Sequence, residues 1–334
     1  RGLALAVADE AAARLQHGTA FTAQGLAYLV WSFASWDVVH AALLPAIAAA
    51  ATRQADELLP QHVSAVAWSF ARLAYRDRPM LEAILAGVGG RVRAFKPVEA
   101  TNLAWSMATL WLADVQTLRL LCAHASVSAE RLLPQQITDA AWSFAKLSVP
   151  PGEDLLRRLS SLAQAVIAEF APSHLTNTAW ALASLSYATD PLLPSICRAA
   201  LELRPEALAT KDLEKLLWAF SQRGPTGAGA GDLGHELLQH AGDVGLYISS
   251  WALSPVLASA ERIAESGGEQ RADGELEVCR RLLSGEVGAP ALTGWALHSL
   301  ARRGGDVAPA VFCALSQQEL PPRTARVEQG GRKK

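Results

Sequence analysis

The sequence predicts an all-α protein, an α-solenoid of about eight helix-turn-helix repeats of 37–38 residues. Three observations predict it. Trp31, Trp68, Trp105, Trp142, Trp180 and Trp218 follow one another at intervals of 37, 37, 37, 38 and 38 residues, and Trp295 returns in phase two periods later. Other columns recur with them: Phe33, Phe70, Met107, Phe144, Leu182 and Phe220 two residues on, and Ala34, Ala71, Ala108, Ala145, Ala183 and Ser221 three on. Each Trp segment is followed by a turn and a second apolar-periodic stretch. A period of this length marks stacked supersecondary units, each unable to bury its apolar faces alone.

The first helix of each unit, helix A, carries the Trp. Pro60, Pro97, Pro134 and Pro172 stand eight residues before it, where a first helical turn needs no amide donor. The second, helix B, is clearest in the fourth repeat, where Leu155, Leu156, Leu159, Leu162, Ala163 and Val166 keep helical spacing. "SVPPGED" supplies the turn before it and an acidic first turn. Residues 1–21 are expected to be an N-terminal capping helix, 22–223 the regular Trp-anchored repeats, 224–320 degenerate repeats and 321–334 a basic flexible tail.

An apolar fraction of 51% is ample for a core, and 19% charged residues exclude a disordered chain. The longest apolar stretch, "AALLPAIAAAA", is about half the ~20 residues of a membrane helix and contains Pro45, so no membrane span is expected. Cys122, Cys197, Cys279 and Cys313 are far apart, which points to buried, inert thiols in a reducing compartment. The chain begins at Arg1, consistent with a removed leader or a piece of a longer protein.

On a wheel of ~100° per residue, positions −5, −2, −1, +2, +3 and +5 from the Trp form an apolar arc. Positions −7, −6, −4, −3, +1 and +4 form a polar one. The Trp lies on the border between a small Ala and a Ser or Thr, a place suited to an indole wedged between adjacent A helices as a spacer. Stacking on a nucleobase is the alternative.

The polar arc holds the candidate base contacts. At Trp −3 these are Tyr28, Asn102, Asp139, Asn177 and Lys215, and at Trp −4 Thr101, Thr138 and Thr176. Short amides, carboxylates and hydroxyls on a rigid helix can pair with unstacked base edges, as helical-repeat proteins do with single-stranded RNA. A merely solvated helix face is the plainer reading. Candidate phosphate ligands lie among residues 71–97, where Arg72, Arg76, Arg78, Arg91, Arg93 and Lys96 outnumber Asp77 and Glu82. Lys146 joins them, and a second basic run occupies 301–334. The net charge of −2 counts against a strongly basic nucleic-acid protein and favours the alternative, a protein-binding scaffold without RNA contact.

Signals for chemistry fail. "GAGDLG" (229–234) follows the helix "LLWAFSQR" instead of a strand, so it reads as a turn, not a dinucleotide site. In "HELLQH", His235 and His240 are five apart and face different sides of a helix, which is wrong for zinc. His62 and His174 share Trp −6 and mark repetition. No catalytic residue, metal or cofactor is expected, and the chain is not read as an enzyme.

"LTNTAWALASL", "ATNLAWSMATL" and "ITDAAWSFAKL" resemble the Trp-Ala helix of heptatricopeptide and octotricopeptide repeats, and the helical region of FAST-kinase-like and RAP-domain proteins. The resemblance covers residues 22–223. The Pro-Pro-Glu-Trp box of octotricopeptide repeats is missing, and no RAP module is read. It implies a mitochondrial, alternatively plastid, RNA-binding protein acting in RNA processing, stability or ribosome assembly. Single-stranded RNA and ribonucleoprotein or ribosomal proteins are its implied partners.

Overall fold

The computed structural model describes residues 2–17, 21–128, 131–185, 192–203, 207–208 and 210–223. Among them there are helices and no strand, in keeping with an all-α class. The chain divides into two units, Arg1–Leu208 and Ala209–Lys334. The first contains α1 (Gly2–Gln16), α2 (Ala23–Ser35), α3 (Leu43–Arg53), α4 (Pro60–Arg72), α5 (Arg78–Ala86) and the short α6 (Val88–Arg91). It continues with α7 (Pro97–Thr109), α8 (Val115–Ser128), α9 (Pro134–Lys146), α10 (Glu153–Ala165), α11 (Pro172–Ser184) and α12 (Leu192–Leu201). In the second unit the described helix is α13 (Thr210–Arg223), which carries Lys215 and Trp218. The expected degenerate repeats and tail, with Trp295, "GAGDLG", "HELLQH" and the basic run at 301–334, lie outside the described residues.

Within the first unit α2, α4, α7, α9 and α11 are the Trp-bearing A helices, and each packs against the next. Each also packs on the B helix that follows it: α3, α5, α8, α10 or α12. The helix expected as an N-terminal cap is α1, which packs on α3. Phe33, Phe70, Met107, Phe144 and Leu182, two residues after each Trp, are buried between the layers.

The prolines do what their position requires. Pro60, Pro97, Pro134 and Pro172 each occupy the first turn of an A helix, after an extended residue. That residue is Leu59, Lys96, Leu133 or Ala171, and its own amide needs an acceptor. His62 Nδ1, Glu99 Oε2, Gln136 Oε1 and His174 Nδ1 supply it at 3.4, 2.9, 2.9 and 3.2 Å. The Trp −6 position is therefore a helix-capping position, half of a capping box. That explains why two histidines recur there.

The other ends are equally regular. Asp37, Ala74, Trp111 and Ser148 have φ of 55, 51, 56 and 55°, just past the ends of α2, α4, α7 and α9. The following amides, of Val38, Tyr75, Leu112 and Val149, donate to the carbonyls of Phe33, Phe70, Met107 and Phe144 at 2.8–3.0 Å. These are Schellman closures built without glycine, and a side chain in the left-handed region costs about 1 kcal/mol. Ala74→Gly should accordingly raise unfolding stability by about 1 kcal/mol, less the extra chain entropy of glycine, in a urea titration. A clear loss of stability would contradict this closure.

Candidate functional site

The open face of the A helices differs from the wheel. Positions Trp −7, −3, 0 and +4 make one stripe of the helix, and in the first unit this stripe meets solvent except at Asp139. Gln61, Val98 and Gln135 are exposed at −7, and Arg72 is exposed at +4. The tryptophans themselves lie in it. Trp31 is 49% exposed and Trp68, Trp105, Trp142 and Trp180 are half-buried. The indole is thus no enclosed wedge: one part of each ring is at the surface.

The cause is the closeness of neighbouring A helices. Ala141 and Ala145 of α9 meet Ala181 of α11 in one buried cluster, and Trp180 packs against it. Only small residues at −1, +1 and +3 permit that approach. Ser69, Ser106 and Ser143, one residue after the Trp, are buried, and their hydroxyls donate to their own helices. The acceptors are the carbonyls of Ala65, Asn102 and Asp139 at 2.7, 2.6 and 2.5 Å. With the contact filled by Ala and Ser, the bulky ring is left at the rim of the seam.

The same packing corrects the Trp −4 column. Thr101, Thr138 and Thr176 are buried, so they are not base readers. Thr101 Oγ1 donates to the Pro97 carbonyl at 3.1 Å, and Thr138 Oγ1 bonds Thr178 Oγ1 of the next A helix at 3.0 Å. At Trp −3, Tyr28 is exposed and Asn102 and Asn177 are half-buried. Lys215 is half-buried in the second unit.

Asp139, also at Trp −3, is buried and leaves the reading set. Burial pushes its carboxyl up to about 7, partly offset by the N–H that Gln135 donates at 2.7 Å. Gln135 Oε1 in turn accepts from His174 Nε2 at 2.8 Å, so α9 and α11 are joined by a chain of side-chain bonds. His174 Nδ1 serves as a cap acceptor, which requires neutral imidazole, and burial holds its pKa below the ordinary value. His62 behaves likewise. The Cys122 and Cys197 thiols are buried and pushed up to about 12, which makes them inert; Cys279 and Cys313 lie outside the described residues.

The cations separate into two groups. Arg72 and Lys146, both at Trp +4, lie beside the indoles. The Arg72 guanidinium is 5.8 Å from the Trp68 ring centre, and Lys146 Nζ is 4.6 Å from that of Trp111 and 5.9 Å from that of Trp142. Arg76 donates to the Trp111 carbonyl at 3.3 Å. The others stand elsewhere. Arg78 is on α5 and pairs with Glu82 at 2.7 Å, and Arg91 donates to the Leu58 carbonyl at 2.7 Å, closing its own repeat. Arg93 and Lys96 are exposed in the connection before α7. Among the described residues no group of three or more His, Cys, Asp or Glu side chains is placed to hold a metal ion. No helix among them is long and apolar enough to cross a membrane.

Sequence reasoning missed Trp111 because it stands outside the Trp column, in register with the dissimilar Asp37, Ala74 and Ser148. It also missed the closure in which Gln54 and Arg91, 37 residues apart, donate to the carbonyls of Phe21 and Leu58 at 2.9 and 2.7 Å. The column Phe21, Leu58, Phe95, Leu132 and Phe170, ten or so residues before each Trp, was the available signal. No family model matches the sequence, and no curated protein shows significant similarity to it.

Asp139 gives a pH test. Its folded pKa lies above its ordinary value of 3.8, so its contribution is complete below that value and is lost as pH rises through about 7. His62 and His174 have the opposite sign and lose their contribution as pH falls below 6.5. Asp139→Asn should therefore be more stable than the parent at pH 8, by on the order of 2 kcal/mol, and the difference should shrink toward pH 5. Equal urea midpoints at pH 8 would remove the buried charge from the account.

Proposed function

We propose that the chain is an α-solenoid that binds single-stranded RNA along the Trp-lined face of its A helices. The observation that carries this reading is the row of part-exposed indoles, one per repeat, with Arg72 and Lys146 beside it. Flat aromatic faces next to cations suit unstacked bases joined by phosphates. The successive packing of α2, α4, α7, α9 and α11 supports the solenoid reading, since it is how stacked repeats make a continuous surface. Asn102, half-buried at Trp −3, would add a base-edge hydrogen bond. The resemblance to heptatricopeptide-type repeats makes an organellar role in RNA processing, stability or ribosome assembly the favoured setting. Mitochondria come first and plastids second. No enzymatic step is proposed.

A specific observation favours a second reading. Tyr28, Trp31 and Trp36 are all about half or more exposed on or beside α2, where the candidate cation Arg72 is turned to the Ala34 carbonyl at 3.1 Å. An apolar patch of that kind suits a protein partner, and the net charge of −2 does not oppose one.

Salt separates the two. With Arg72, Arg76 and Lys146 as the phosphate ligands, a filter-binding titration should give a log–log slope of about −2, from ~0.7 per phosphate on single strands. Absence of RNA binding near physiological salt would leave the protein-binding reading. A slope beyond about −5 would mean that the phosphate ligands lie elsewhere on the chain.

A further inference from the structure

We propose that Trp105, Trp111, Trp142 and Lys146 form a site for one nucleotide, a base stacking on the indoles and its phosphate held by Lys146. The site rests on the RNA reading and sharpens it. Its starting point is Trp111. This residue lies in the left-handed region at φ 56°, where the matching positions hold the small residues Asp37, Ala74 and Ser148. A bulky side chain there is a genuine outlier, and strain of that kind persists where function or packing requires it. The closure of α7 sets this φ, but burial does not account for a bulky ring at it, because Trp111 is 56% exposed.

The surroundings supply the function. Trp105 and Trp142, from adjacent A helices, have ring centres 6.4 Å apart and planes within 30°. Lys146 Nζ stands over both Trp111 and Trp142, so three indoles and one ammonium converge where α7 meets α9. Backbone bonds anchor Trp111: its amide donates to the Ala108 carbonyl at 3.2 Å and its own carbonyl accepts from Arg76. The charges here are unbalanced. Among the described residues Lys146 is in no ion pair, and the acids that line the same cavity as Trp111 are engaged. Asp114 caps α8 through the Thr117 amide and hydroxyl at 3.1 and 2.6 Å, and Glu82 is paired with Arg78. A cation resting on exposed aromatic faces is weakly held. It can turn to a phosphate and leave the rings free for a base. A flat, uncharged aromatic joined to an anion matches both halves of the site, and the nucleotide unit of a single strand is that ligand.

The test uses the full chain and a fluorescently labelled oligoadenylate, with the same strand made abasic as the control. Trp111→Asn removes the ring while keeping a residue that tolerates the left-handed region. It should weaken oligoadenylate binding roughly ten-fold or more and change abasic binding little. Lys146→Gln should weaken both strands alike and make the salt slope shallower by about 0.7. Unchanged oligoadenylate affinity in Trp111→Asn, with the parent binding normally, overturns the site and leaves the wider RNA reading standing. Should Trp111→Asn fail to fold, the Lys146→Gln slope decides: an unaltered slope overturns the site. A parent that binds neither strand overturns the RNA reading itself.

Discussion

Neighbouring A helices approach so closely that only small side chains, Ala, Ser and Thr, fit along the seam, and the rest of the first unit follows from that constraint. The Ala141, Ala145 and Ala181 cluster is its clearest instance. Hydroxyls within the seam cannot reach water, so each Ser after the Trp turns back on its own helix. Thr138 and Thr178 pair across the seam for the same reason. Leaving any of these groups without a partner at such burial would cost about 1–3 kcal/mol. The large indole has no room inside and comes to rest at the rim.

Much of this was legible in the residues. The Pro column located the helix starts, the Trp column the period, and the Phe and Ala columns the inward face. The wheel misjudged Trp −4 and +1 because it assumes one buried arc. Within the first unit α4, α7 and α9 each have three neighbours, the A helix on each side and their own B helix, so only a narrow stripe remains open. Thr and Ser are small enough for either environment, and nothing in their chemistry announces which one they occupy. Asp139 was misread for a similar reason: a carboxylate usually signals solvent, yet here Gln135 and burial hold it. The left-handed closures were hidden too, since Asp37, Ala74, Trp111 and Ser148 share no residue type.

These corrections change the character of the proposed surface. Without the three threonines and Asp139, base-edge hydrogen bonds would have few side chains of the proposed set to use in the first unit, Asn102 and the Tyr28 hydroxyl among them. Aromatic area is plentiful by comparison. Recognition on such a face would depend more on stacking than on a residue-by-base code, and stacking tolerates many sequences. Few cations stand beside the rings, Arg72 and Lys146 among the described residues, in a chain of net charge −2.

Residue-resolved hydroxyl-radical footprinting, read by mass spectrometry on the intact chain, tests the seam and its rim together. The account predicts ready oxidation of Trp31, Trp68, Trp105, Trp142 and Trp180, with Phe33, Phe70 and Phe144 protected two residues away. Protection of those tryptophans to the same degree as the phenylalanines would place the rings inside the stack and contradict it.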